Sequence, residues 1–146
     1  SSKEVLVGEL MTIGRDTTID HFDRAVRAVS DDPIERLDAA VDALVSIHTT
    51  YPMLMRVLTD DVHGLSPEVT APALTMRLEM SLRLGQILVE GEQQGLLSYP
   101  NLVSTVAAVH GLLIRIPYWF PPGDDYGVAE LTADYRELVA SMLRVD

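Results

Sequence analysis

Residues 32–51, DPIERLDAAVDALVSIHTTY, carry the pattern that decides the fold class. Asp32 is a helix-capping residue, Pro33 suits the first helical position, and Glu35 supplies an acidic side chain to the first turn. The helix is expected to end before Pro52, because a residue that precedes proline avoids the α region. One face repeats every three or four residues, as a half-buried helix requires. That face consists of Ile34, Leu37, Val41, Leu44 and His48.

The same spacing continues on both sides of this helix, punctuated by capping residues, prolines and glycines. It predicts five further helices, at residues 2–29, 53–62, 70–94, 98–120 and 127–144. The first is expected to bend or loosen around residues 14–18, the fourth to hold Pro72 in its first turn, and the fifth to kink at Pro117. No stretch alternates polar and apolar residues as a half-buried strand does. The sequence therefore predicts one all-α domain of six helices over residues 1–146.

Composition excludes several classes of protein. The 146 residues carry 22 acidic and 11 basic side chains, a net charge of −11, and 47% are hydrophobic. The absence of cysteine excludes disulfides, cysteine-ligated zinc and a cysteine nucleophile. The acidic balance argues against direct nucleic-acid binding by these residues. No uncharged apolar run of 18 residues occurs, so a soluble, cytoplasmic protein that does not enter membranes is expected.

Motifs for catalysis are missing from the sequence. It contains no G-x-S-x-G, no phosphate-binding loop, no G-x-G-x-x-G and no H-E-x-x-H. Asp60, Asp61 and His63 could resemble part of a metal site, but a solvated helix end explains them better. We therefore expect no enzyme activity, no metal and no cofactor.

Three groups of residues leave a choice between core and ligand site. Arg77 lies on an apolar helix face, where it needs either an internal carboxylate or an anionic ligand group. His48 and His110 each lie centrally on an apolar face, as hydrogen-bonded core residues or as the lining of a cavity. Flexible methionines on two successive helices suit either a filled core or a pocket for a variable apolar ligand. They are Met53, Met55, Met76 and Met80.

The last two predicted helices have faces that suit association between chains. Small side chains on one face of the fifth helix permit close approach of another backbone, and the last helix is sharply amphipathic. Two copies of this pair could form a four-helix bundle across a two-fold axis, with ordinary packing inside the chain as the alternative. The predicted dimer-interface residues are Ser104, Ala108, Gly111, Arg115, Val128, Leu131, Tyr135, Leu138 and Met142.

Several short segments resemble, in order and spacing, the C-terminal part of the TetR family of bacterial transcriptional repressors. They are SKEVL at residues 2–6, EGEQQG at 90–95, Trp119 with PPG at 121–123, and EL and YRELV at 130–131 and 135–139. The resemblance implies an effector-binding and dimerisation domain, whose DNA-reading helix-turn-helix would lie before residue 1. DNA would then be a partner only through that missing domain, and a second copy of the chain would be the main partner.

The resemblance also implies a small-molecule effector, apolar and with an anionic group as an open possibility. Effector binding would change the tilt of the first helix and so the spacing of two DNA-reading heads. A structural dimerisation module without ligand and, less favoured, a small helical enzyme are the alternatives. The expected wall of the ligand site, with Arg77 as polar anchor, is Phe22, Val26, Leu44, His48, Met55, Met80, Leu84, His110 and Ile114.

Overall fold

The computed structural model describes residues 2–60, 64–121, 123 and 125–145, and it confirms the all-α class. Within this part of the chain, the only β pairing is an isolated bridge between Leu97 and Arg144. Asp61, Val62, His63 and Pro122, which figure in the sequence predictions, lie outside the described residues. The helices are α1 (Ser2–Arg27), α2 (Pro33–Thr50), α3 (Pro52–Thr59), α4 (Pro67–Gln93), α5 (Leu102–Ile114), α6 (Ile116–Trp119) and α7 (Val128–Leu143).

Helix α2 begins where its sequence predicts. The Asp32 carboxylate accepts a hydrogen bond from the Ile34 N–H at 2.8 Å, and Pro33 occupies the first helical position. Helix α1, in contrast, is uninterrupted, so the loosened turn predicted as one alternative at residues 14–18 is wrong, whereas the other alternative, a bend, stays a prediction. Gly14 and Thr18 are buried in line with the helix's other inward-facing residues, because small side chains are needed there for close packing.

Helix α4 begins one turn earlier than the predicted start at Thr70. Ser66 has an extended cap conformation and Pro67 occupies the first helical position, which is a favourable start. Pro72 is accommodated inside the helix, where it removes one backbone hydrogen bond, the one that would reach the carbonyl of Glu68. The local preference of Ser66 and Pro67 therefore outweighs the cost of an internal proline.

The predicted fifth helix is two helices, α5 and α6, and it is capped by Asn101 rather than Ser98. The Asn101 side chain accepts a hydrogen bond from the Ser104 N–H at 3.1 Å, whereas the Ser98 N–H donates to the Leu143 carbonyl at 2.7 Å. The α-helix is interrupted at Arg115, just before Pro117, which cannot donate to the carbonyl four residues earlier. The described residues thus form seven helices where six are predicted.

Helix α2 lies at the centre of the fold and packs against each of the other six helices. Helix α7 is attached to it by Arg144, which contacts Asp38 at 2.7 Å, and by an ion pair between Arg136 and Asp42. Helix α1 packs along α4. Their contact includes a two-point ion pair in which Arg83 donates to the Asp23 carboxylate at 2.8 and 3.1 Å.

By length and composition, one stretch of the described residues could cross a membrane. Leu102–Trp119 has a mean hydropathy of 1.3, although only a third of it is buried within the chain. The division at Arg115 leaves α5 with 13 residues, about 20 Å, short of the ~30 Å of a bilayer core. Helix α5 is therefore an apolar helix with one exposed face, formed by Val103, Ser104, Ala107 and Ala108.

Candidate functional site

Most of the predicted ligand wall is buried in the core. Val26 and Ile114 are half-buried at its margin, and Arg77 is exposed. Phe22 and Val26 also line a surface pocket of 330 Å³ between α1, α2 and α4, whereas neither His48 nor His110 lines this pocket or the two described below. The remaining predicted wall residues are buried: Phe22, Leu44, His48, Met55, Met80, Leu84 and His110.

His48 carries a buried nitrogen atom without a partner. Its Nδ1 lies 2.6 Å from the Leu44 carbonyl oxygen, so Nδ1 carries the hydrogen and donates it. Nε2 then holds a lone pair, and it has no hydrogen-bond partner among the described residues. The side chain is 1% exposed, and this burial lowers the pKa of His48 to about 4.

His110 lies close enough to His48 for the two rings to affect each other's charge. Burial, followed by the proximity of His48 and of Arg77, lowers the pKa of His110 to about 4. Both imidazoles are therefore neutral near pH 7. The structure thus brings together two neutral polar rings, from α2 and α5, within an apolar interior.

Among the described residues, Arg77 contacts no carboxylate, which was the internal partner considered from sequence. Its Nη2 donates to the carbonyls of Leu58 at 3.2 Å and Thr59 at 3.0 Å, which are free acceptors at the end of α3. The guanidinium borders a 270 Å³ surface pocket that also includes Asp60. Among the described contacts, Arg77 serves as a C-terminal cap for α3.

Helix α3 touches α1 through two small residues that the sequence analysis did not single out as contacts. A Cβ atom at Gly14 would lie 2.5 Å from Cδ1 of Leu58, so only glycine admits this approach. One turn further on, the Thr18 hydroxyl donates to Sδ of Met55 at 3.6 Å. The sequence signal for this contact is the pair of small residues four positions apart, Gly14 and Thr18, on an apolar face of α1.

Tyr118 joins α6 to α3 on the surface. Its ring lies between the guanidiniums of Arg56 and Arg115, whose Cζ atoms are 4.7 and 4.6 Å from the ring centroid. Its hydroxyl donates to Asp60. Partial burial and this carboxylate raise the pKa of Tyr118. Arg115, predicted for the dimer interface, therefore already has a partner inside the chain.

The predicted dimer-interface residues divide into an exposed set and a buried pair. Leu131 and Tyr135 are 0% and 8% exposed, because the apolar stripe of α7 is wide enough to pack on α2. At the half-buried Gly111, no atom of a neighbouring element lies within 4 Å of the position that a Cβ would take. The exposed set is Ser104, Ala108, Arg115, Val128, Leu138 and Met142.

An apolar groove of 790 Å³ runs between α4 and α5 beside the exposed α5 face. Leu82 and Val103, on its two sides, are 59% and 78% exposed. Leu74 and Leu78 continue the exposed apolar surface along α4. The uncovered apolar surface therefore extends beyond the residues predicted from sequence.

The family of Tetracyclin repressor-like C-terminal domains matches residues 30–143, which is most of the chain. The chain belongs to this family. No curated protein sequence matches it. The resemblance found in the sequence to the TetR family of transcriptional regulators is thereby confirmed, and with it the place of the chain as the C-terminal domain.

Solved structures of TetR-family regulators share the fold of this TetR-like domain. A bacterial regulatory protein of the tetR family from Rhodococcus RHA1 is 25% identical, with a TM-score of 0.87 over 99% of this chain and 76% of that one. PfmR from Thermus thermophilus is 21% identical, with a TM-score of 0.81 over 94% and 74%. AibR, solved with isovaleryl coenzyme A and operator DNA, is 19% identical, with a TM-score of 0.82 over 94% and 74%.

Proposed function

We propose that this TetR-like domain is the effector-binding and dimerisation part of a cytoplasmic transcriptional regulator, and that it has no enzymatic role. The observation that carries the proposal is the double character of α5. Its inner face places His110 in the interior beside His48, while its outer face is apolar and uncovered. One helix thus borders both a candidate ligand site and a candidate interface.

The partner for the outer face is a second copy of the chain. Ser104, Ala108 and Gly111 allow another backbone to approach α5 closely, and Leu138 and Met142 present apolar side chains on α7. Two copies of α5 and α7 would form a four-helix bundle. Leu131 and Tyr135 support this face from inside the chain and do not contact the partner.

The effector would enter the interior bordered by α1 to α5 and select a conformer in which that interior opens. AibR, which shares the fold, binds isovaleryl coenzyme A, which supports a small acyl-bearing molecule as one candidate class. Two DNA-reading heads joined to the α1 helices must lie ~34–36 Å apart to enter successive major grooves. An effector with unequal affinity for two α1 positions shifts that spacing and so the DNA affinity.

A second candidate function is a dimerisation module without a ligand, and the closed interior favours it. Under that reading, His48 and His110 are simply core residues. It keeps the dimer and predicts no response to small molecules.

The interface is tested by sedimentation of the wild-type chain and the double variant Leu138→Glu, Met142→Glu. The wild type should be a dimer and the variant a monomer with unchanged helix content. The control is Val5→Glu, which changes an exposed apolar residue on α1 and should leave the dimer intact. A double variant that remains dimeric would remove this face of α7 from the interface.

The ligand function is tested by thermal denaturation with isovaleryl coenzyme A, free aliphatic and aromatic alcohols, and carboxylates. A rise in Tm with any of these classes supports an effector site. If none of them raises Tm, the ligand-free module is the better description.

A further inference from the structure

The hydrogen-bonding capacity of His48 is fixed by its own helix. Because Nδ1 donates to the Leu44 carbonyl at 2.6 Å, the neutral ring has its lone pair on Nε2 and can only accept there. A second donor on the ring would require a positive charge in an apolar interior, which burial opposes. The ring therefore presents one acceptor and no free donor.

This acceptor is an exception to the rule that buried polar atoms are paired. His48 is 1% exposed, and Nε2 meets no donor among the described residues. The hydroxyl of Thr18, which is also buried, is already directed to Met55. A buried acceptor without a partner lowers stability, so Nε2 is a site where a donor from outside the protein, a water molecule or a ligand group, is stabilised.

The charge around His48 restricts what can lie against it. His110, the neighbouring titratable group, is neutral for the same reason as His48. Arg77, whose charge also reaches His110, is exposed and donates to the end of α3. None of the buried residues that the structure describes is a lysine or arginine, so a carboxylate or phosphate beside Nε2 would have no buried ion-pair partner.

The interior can make room for a small group because several of its side chains are flexible. Met55, Met76 and Met80 are all 2% exposed or less and belong to the same core as His48's helix neighbours Leu44 and Val45. Methionine has three rotatable side-chain bonds and adapts its shape at low cost. Rotation of such side chains, together with the shift of α1 proposed above, would open space beside His48.

We infer that the part of the effector that enters this interior is uncharged, and that it donates a hydrogen bond from a hydroxyl or N–H group to Nε2 of His48. This inference rests on the proposed effector function and narrows the chemical class of its ligand. It replaces the anionic alternative that Arg77 suggested from sequence, since that guanidinium is used at the surface.

Matched probes test the inference on the 146-residue chain. One set is 1-octanol, heptyl methyl ether and octanoate, and the other is 2-naphthol, 2-methoxynaphthalene and 2-naphthoate. Their affinities are measured by calorimetry and by the rise in Tm. The alcohols should bind wild type between roughly three- and tenfold more tightly than the ethers, the difference that one hydrogen bond makes.

The variant His48→Phe should lose this preference for the alcohols, and it should be at least as stable as wild type because the unpaired atom is gone. The control His21→Phe makes the same substitution on α1, away from the interior, and should keep the preference. As a readout that needs no variant, the ¹⁵N resonance of His48 Nε2 should move upfield with an alcohol and not with its ether.

Three outcomes would count against the inference. Carboxylates or ethers that bind as tightly as the alcohols would overturn it while leaving the effector function in place. A preference for the alcohols over the ethers that persists in His48→Phe, or an Nε2 resonance that stays unmoved when an alcohol binds, would do the same. If no probe of any class binds, the effector function fails together with the inference.

Discussion

The inner and outer faces of α5 are both apolar, yet only the inner one is filled. On the inner face, Val109 and Leu113 are 1% and 0% exposed, packed against α2 and α4. On the outer face, Val103 is 78% exposed, and small residues continue from it along the helix. Large side chains thus mark the surface that the chain covers itself. Small ones mark the surface that we propose for a second copy, and hydrophobicity alone does not distinguish the two.

Acidification should have the largest effect, and on the inner face it acts through His48. The pKa of His48 is about 4 in the folded chain and 6.5 in the unfolded one, so the unfolded chain takes up the proton first. Stability is therefore complete above about pH 6.5 and falls as the pH drops towards 4, by about 3 kcal/mol for this residue. Urea denaturation across that range measures the loss.

The matched control for this prediction is His48→Phe, measured over the same pH range. Its stability should fall less steeply, and the difference between the two curves isolates His48 from the acidic residues that also titrate. Parallel curves would show that His48 is not held neutral in the interior.

The next largest loss of stability is expected at the tight contact between α1 and α3. Gly14→Ala would place a Cβ 2.5 Å from Leu58, which is fully buried and cannot move away freely. We expect a loss of about 1–3 kcal/mol in the free energy of unfolding, as for other overpacked cores. Chemical denaturation measures it directly.

Gly8 offers the control on the same helix, since a Cβ there would meet only Val69, at an ordinary 3.9 Å. Gly8→Ala should stabilise the chain by up to about 1 kcal/mol because alanine favours the helix. Equal effects of the two substitutions would contradict the tight contact between α1 and α3.

The smallest effect is expected on the outer face, from the substitution Gly111→Ala. It should stabilise the fold of the single chain and weaken the dimer. No atom of a neighbouring element lies within 4 Å of a Cβ placed at Gly111. Gly111→Ala should therefore stabilise the single chain by about 0.5–1 kcal/mol, measured by denaturation at low concentration. Sedimentation should show a weaker dimer if a partner backbone approaches there. A dimer of unchanged strength would exclude close approach at Gly111.

The sequence predicted those parts of the fold that depend on local chemistry. Asp32 and Pro33 start α2, and Gly95, with a φ of +72°, follows the end of α4, as their residue types require. The same local reasoning misplaced the start of α4. It assumed that Pro72 could lie only in the first turn, whereas the helix starts at Pro67 and continues through Pro72. Local signals compete, and only the whole chain decides between them.

The candidate site was predictable in position and less so in chemistry. Apolar periodicity brought His48 and His110 to helix faces that do meet. It could not show that Arg77 would turn to the end of α3, since that contact joins residues 18 and 19 positions apart. Periodicity also could not show that Leu131 and Tyr135 would be buried. It identifies the apolar stripe of α7 but not which part of that stripe packs against the rest of the chain.

The attachment of α7 to α2 at two points has a mechanical consequence. Asp38 and Asp42 are one turn apart, about 6 Å along α2, and their partners Arg144 and Arg136 are about 12 Å apart on α7. Two separated attachments fix direction as well as position, so α7 cannot slide or pivot on α2 without breaking one of them. A displacement of α2, the helix that carries His48, therefore carries α7 with it and changes the angle at which its exposed residues are presented.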